Sequence, residues 1–253
     1  MAITTRGFTV GIFTFFNQLK QKQKERAIAK NLKIIKNPKA IREERASAIE
    51  YFKDLRELNI SVPSLLYRFD YSLDHGIYDT REKEAAMEGI IYFGKSALPV
   101  VQDHLMKTTR IAWPIKIIQK LGDEKTVIEA LESCLYLSDF EFDRDKIDKN
   151  YDILCYLRDY KLPDAGKKLV GFLKALDERI RFGAAEVLLE QNSTAFLKDL
   201  EPFLIDDSAE NTRIHQIVLD AFHSRDWPVS STIPEGAKLA PSFVVSKNKV
   251  VRI

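Results

Sequence analysis

From residue 39 onward, apolar positions recur at spacings of two to four. Ala46, Ile49, Tyr51, Phe52 and Leu55 mark the segment Lys39–Leu58. Ile90, Ile91 and Phe93 close Thr80–Lys95. Leu169, Val170, Leu173 and Leu176 repeat the pattern, as do Val187, Leu188, Phe196, Leu200, Phe203 and Leu204. This is the signature of amphipathic helices with a broad apolar stripe. Strict two-residue alternation is confined to the last dozen residues, which disfavours strand-rich and alternating β/α folds. Breakers separate short helices at Asn37-Pro38, Asn59 to Pro63, His75-Gly76, Gly94 to Pro99, Gly122-Asp123, Leu162-Pro163 and Asp206 to Ser208. Pro63, Pro99 and Pro163 fit first helical turns, where a missing N–H leaves no partner unsatisfied. Asp123, Asp177 and Ser208 fit N-caps, and Gly94 and Gly122 fit C-terminal caps.

Superposing these segments exposes a repeat. A basic residue is followed by a core residue three later and another four after that. Arg45–Ala48–Phe52, Lys83–Ala86–Ile90, Arg110–Trp113–Ile117 and Arg181–Ala184–Leu188 obey it, and Arg213–Gln216–Asp220 is a degenerate last copy. The basic positions lie 38, 27, 71 and 32 residues apart, and the longest gap accommodates one poorly matching unit on Ile147–Tyr160. The reading is all-α: an α-solenoid of about five to six helical hairpins over residues 39–227. A basic arm with a short apolar start precedes it (1–38). A linker and a short strand-like tail follow it (228–253), with Trp227-Pro228 marking the junction.

The segment from Asp177 to Leu188, with its leading Asp, internal Arg181 and small Gly183-Ala184-Ala185, resembles the first helix of a HEAT repeat. Asp206-Asp207-Ser208 followed by Arg213 fits the next one. The chain is also similar to a bacterial group of HEAT-repeat proteins. That likeness rests on Gly11-Ile12-Phe13-Thr14-Phe15-Phe16, which puts Val10 in the group's initiating position. It rests further on Arg68-Phe69-Asp70-Tyr71-Ser72-Leu73-Asp74 with Glu82-Lys83-Glu84, and on the tail Phe243–Arg252. The resemblance implies stacked helical hairpins and brings no activity with it.

Composition narrows the picture. The chain has 253 residues, 30% of them charged, with only 10 glycines, 9 prolines and 2 cysteines. Collagen-like, low-complexity and disulfide-framed chains are thereby excluded. The net charge of +2 hides an asymmetry. Residues 1–42 carry ten Lys and Arg against Glu25 alone, so the rest sums to −7. The apolar run Gly7–Phe16 is ten residues long, half of what a membrane span requires. Most charge follows it and no small-residue cleavage site does, so no export signal is expected. The expected location is the cytoplasm, with peripheral membrane or polyanion association through the arm as the alternative. Phe13, Phe15, Phe16, Lys20, Lys22 and Lys24 are the residues for that contact.

Chemistry is sparse. His75, His104, His215 and His223 lack metal-finger spacing, and phosphate-cradling or nucleophile-elbow motifs do not occur. No cofactor, metal or catalytic residue is expected. Cys134 and Cys155 sit in apolar helical runs and read as inert thiols. The carboxylates Asp70, Asp74, Asp79, Glu82 and Glu84 read as helix-end and helix-start charges, with binding of a hard cation or acid–base work as the alternative. A HEAT-like DNA glycosylase finds a faint echo in Trp113-Pro114 beside Arg110. The acidic repeat body opposes it, because phosphate contacts dominate DNA affinity. The functional expectation is therefore a non-enzymatic scaffold that binds a protein or peptide. Arg68, Tyr71, Asp74, Tyr78 and Trp113 are its candidate contacts, on an aromatic concentration of the kind that binding hot spots favour.

Overall fold

The structure is a computed structural model. It describes residues 5–162, 166–206 and 208–253, with side chains described from Asn17 onward except at 166 and 167. It is mostly helical and falls into two compact units, Met1–Gly122 and Asp123–Ile253. The division falls at the Gly122-Asp123 breaker, inside the stretch read above as one continuous body.

In the first unit, a long helix α1 (Thr5–Ile35) precedes α2 (Arg42–Leu55), α3 (Leu58–Leu66), α4 (Gly76–Ile91), α5 (Leu98–Lys107) and α6 (Ala112–Leu121). Helix α2 shows why the segment is helical. Glu43 and Glu44 meet the positive end of the dipole. Arg45, Ala48, Ile49 and Phe52 recur on one buried face, and Arg56 ends the helix in a left-handed conformation (φ 52°). Helices α2, α4 and α6 pack in succession, and α3 and α5 pack on each other. Gly89 permits this. A Cβ there would lie 2.6 Å from Lys53 Cγ and 2.8 Å from Leu65 Cδ1. The C-terminal end of α1 packs on α2, so residues 17–35 belong to the first unit rather than to a separate arm.

The second unit contains α7 (Glu124–Ser133), α8 (Arg144–Leu157), α9 (Gly166–Val170), α10 (Glu178–Glu190), α11 (Leu197–Leu200), α12 (Pro202–Ile205) and α13 (Thr212–Ser224). Helix α10 packs between α8 and α13. At Gly183 an added Cβ would stand 3.3 Å from Leu154, so this glycine sets the approach of α8. Asp123, Asp143 and Asp177 each accept a backbone N–H as N-caps. Ser208 does not: Asn211 flanks α13, and Ser208 offers its carbonyl to Asn211 and Thr212. Pro63 lies within α3 and Pro99 in the first turn of α5. Pro163 lies outside the described residues.

The tail is more regular than a single strand-like segment. Strands β1 (Lys238–Ala240), β2 (Phe243–Ser246) and β3 (Lys249–Arg252) form an antiparallel sheet in chain order. Strand β1 comes from the stretch read as linker. Lys247 and Asn248 both have positive φ (51° and 58°), the conformation a two-residue hairpin with right-handed strand twist requires. The sheet closes on α13: His223 Nδ1 lies 3.0 Å from the Val250 carbonyl. Trp227 is buried edge-on against Phe222.

Candidate functional site

The repeated basic residue has an internal task. Arg45 and Arg181 occupy the same place, the fourth residue of each helix. Arg181 donates from Nη1 to the Ala175 and Leu176 carbonyls (2.7 and 2.8 Å). Its Nε reaches Asn211 Oδ1 at 2.9 Å, and Asn211 in turn donates to Asp206 at 2.6 Å. One guanidinium thus satisfies the loop before its own helix and ties it to the loop before the next. Arg45 likewise satisfies the loop before its own helix at the Ala40 carbonyl, and ties it to Glu82 in the second turn of α4. In α13 this position belongs to His215, whose Nδ1 lies 2.8 Å from the Phe203 carbonyl. Arg213, the residue the repeat points to, is exposed and stacks over Phe182.

In the first unit this tie grows into a buried ionic cluster. Glu82 accepts from Arg45 and, at 2.8 Å, from Arg68 Nε. Asp79 accepts from Arg68 Nη2, Lys83 Nζ (both 2.7 Å) and the Leu73 N–H (3.0 Å). Burial works against the charge on Asp79, but these donors outweigh it and hold the carboxyl below the usual carboxylate range. Arg68 is 0% exposed. Tyr71 donates its hydroxyl to the Ile35 carbonyl at 2.8 Å. Both residues are therefore held inside the unit, not offered to a partner. Trp113 is half-buried and stacks on Phe69 with centroids 5.7 Å apart. Asp74 is exposed. Tyr78 is half-buried under the Arg42 guanidinium and lines a cavity of about 380 Å³ with Ile49, Glu50 and Arg81. Lys20 and Lys22 are exposed, whereas Lys24 bonds Glu57 at 2.5 Å. Phe13, Phe15 and Phe16 fall on α1 outside the residues with described side chains.

The surface feature that residue-level reading missed lies in the second unit. Phe142 is 96% exposed, Leu176 67% and Ile205 61%. Phe142 and Leu176 sit in the loops before α8 and α10, and Ile205 ends α12, ahead of α13; these three helices pack in the succession α8, α10, α13. Glu141 accepts the Leu176 N–H at 3.0 Å, joining the first two loops, and Arg181 with Asn211 joins the second to the third. The three side chains thus make a row in the order of packing, one ahead of each helix. Carboxylates flank it: Asp143, Asp145, Asp177, Glu178, Asp206 and Glu210. The signal was present in the sequence. Phe142 and Leu176 each stand immediately before an Asp cap and are 34 residues apart. An apolar residue in that place normally packs against the fourth helical position as a staple. In α10 that position is Arg181, which leaves Leu176 without an apolar partner there. In α8 it is Ile147, and Phe142 nonetheless stays in solvent.

Among the described residues, no group of His, Cys, Asp or Glu could hold a metal ion. Burial pushes the thiols of Cys134 and Cys155 up, away from the thiolate form. Among the described residues, no helix is long and apolar enough to cross a membrane.

Fold and surface together define a mostly helical protein of two compact units, with a small antiparallel sheet at the C-terminus. No protein-family model matches the chain, and no curated protein or solved structure matches it.

Proposed function

We propose that the protein is a non-enzymatic interaction scaffold whose helical hairpins are HEAT-like repeats, and that its second unit docks a protein or peptide partner. The observation that carries this reading is the row Phe142, Leu176 and Ile205. Phe142 lies almost wholly in solvent, and Leu176 and Ile205 keep more than half of their surface there, so the three give little to the folding of the unit. Contiguous exposed apolar surface rimmed by polar groups is the mark of an interaction site. The flanking carboxylates select the partner's chemistry: apolar anchors accompanied by Lys or Arg. Nucleic acid is a poor fit, because its phosphates would meet these carboxylates.

A peptide-display selection on the intact protein tests the proposal, with counter-selection on F142S/L176S/I205S. Enriched peptides should combine apolar and basic residues and bind the triple variant at least tenfold more weakly. Peptides that bind both proteins equally, or no enrichment at all, would contradict the reading.

A further inference from the structure

Helix α1 carries a second surface, independent of the row on the second unit. Its body-facing side is Lys24, Ala27, Ile28, Asn31, Ile34 and Ile35, all half-buried or buried. Lys22, Arg26, Lys30 and Lys33 are all exposed. At 3.6 residues per turn they fall within an arc of about 80° on the opposite side and span about 16 Å. Among the described residues, none of the four has an acidic partner, although Lys24 on the other face finds Glu57. Four like charges in one stripe repel one another, and the fold does nothing to neutralise them. The charge is also local. The first unit carries 21 basic and 13 acidic residues, and outside residues 1–42 it is nearly balanced, with 11 against 12.

We propose that this cationic ridge docks the protein on an anionic lipid surface. Several features favour a membrane over a discrete acidic ligand. The ridge is straight and convex, on the outer side of a helix, with no cleft to enclose a small anion. It presents flexible point charges spaced along a line, which suits a plane of headgroups. The same helix leads N-terminally through the partly exposed Leu19 (40%) towards the apolar segment Gly7–Phe16. A polybasic stretch next to an apolar one supplies the two signals that stable peripheral binding needs. No step of this argument requires the helix to span a bilayer.

The test is co-flotation of the full chain with phosphatidylcholine vesicles and with vesicles of three parts phosphatidylcholine to one part phosphatidylglycerol. Three proteins are compared: wild type, the ridge variant K22Q/R26Q/K30Q/K33Q, and a control K95Q/K125Q/K198Q/K238Q. The control loses the same net charge from exposed lysines elsewhere. Wild type and control should float with the anionic vesicles only, and less so in high salt. The ridge variant should partition about a thousandfold more weakly, with an unchanged circular dichroism spectrum. Three results would overturn the proposal: equal binding to neutral vesicles, equal loss in ridge and control variants, or no flotation by wild type. Ridge-dependent binding to single- or double-stranded DNA without binding to vesicles would also overturn it, and would make the ridge a nucleic-acid contact.

Discussion

Arg45 and Arg181 do the same structural work in different company. Each holds the loop before its own helix to a neighbouring segment: Arg45 to the second turn of α4, Arg181 to the loop before α13. Arg45 reaches a buried carboxylate, Glu82, which also holds the fully buried Arg68. Arg181 reaches a neutral amide, Asn211. The first unit therefore draws acidic side chains inward, where Glu82 and Asp79 serve folding. The second unit, with 18 basic and 24 acidic residues, buries Glu201 against the Ser230 N–H but keeps other acids beside exposed Phe142, Leu176 and Ile205. One anchoring geometry thus supports a closed ionic core in one unit and an open, acid-rimmed apolar row in the other.

The largest effect should come from the closed core. Glu82→Gln removes one partner and leaves two buried guanidinium groups short of charge, which costs about 3–5 kcal/mol. Asn211→Ala breaks the neutral counterpart and should cost only about 1–3 kcal/mol. Urea unfolding of both variants checks the ratio; equal losses would erase the distinction between the two ties.

Next is the glycine comparison. Gly89→Ala forces Leu65 and Lys53 to move and should destabilise by about 1–3 kcal/mol. Gly183→Ala meets Leu154 at 3.3 Å, so it should cost less, partly offset by alanine's better helix propensity. Thermal melts rank the pair.

The ionic core also predicts a pH dependence. The folded carboxyl of Asp79 lies below its unfolded value of about 3.9. Its contribution is therefore complete above that pH and is lost as the pH falls through the folded value. Asp79→Asn should be clearly less stable than wild type at pH 7, and the gap should narrow below pH 4. A constant gap would remove Asp79's charge from the account.

The smallest stability effect belongs to the open row. Phe142→Ser should change unfolding free energy by no more than about 0.5 kcal/mol, because its side chain is 96% exposed. A large loss would show that Phe142 supports the fold instead of facing a partner.

Much of the helical content was legible because apolar periodicity and capping chemistry are local. Asp123 and Asp177 act as the caps their positions suggest. The strand at Lys238–Ala240 was not legible. Three residues with no clear alternation become a strand only because β2 lies beside them. For the site, sequence reasoning weighted aromatic and charged residues by type. Arg68 and Tyr71 look like binding residues in a list of side chains. Whether a guanidinium faces solvent or a buried carboxylate depends on Glu82, fourteen residues away in the chain. Exposure of Phe142 is equally non-local, since Ile147 is correctly spaced for a staple that does not form.

The most direct measurement is the affinity of a display-selected peptide for wild type and for F142S/L176S/I205S, by fluorescence anisotropy, with melting temperatures recorded in parallel. The account predicts at least a tenfold loss of affinity at an unchanged melting temperature. Undiminished affinity, or a loss that only tracks unfolding, would contradict it.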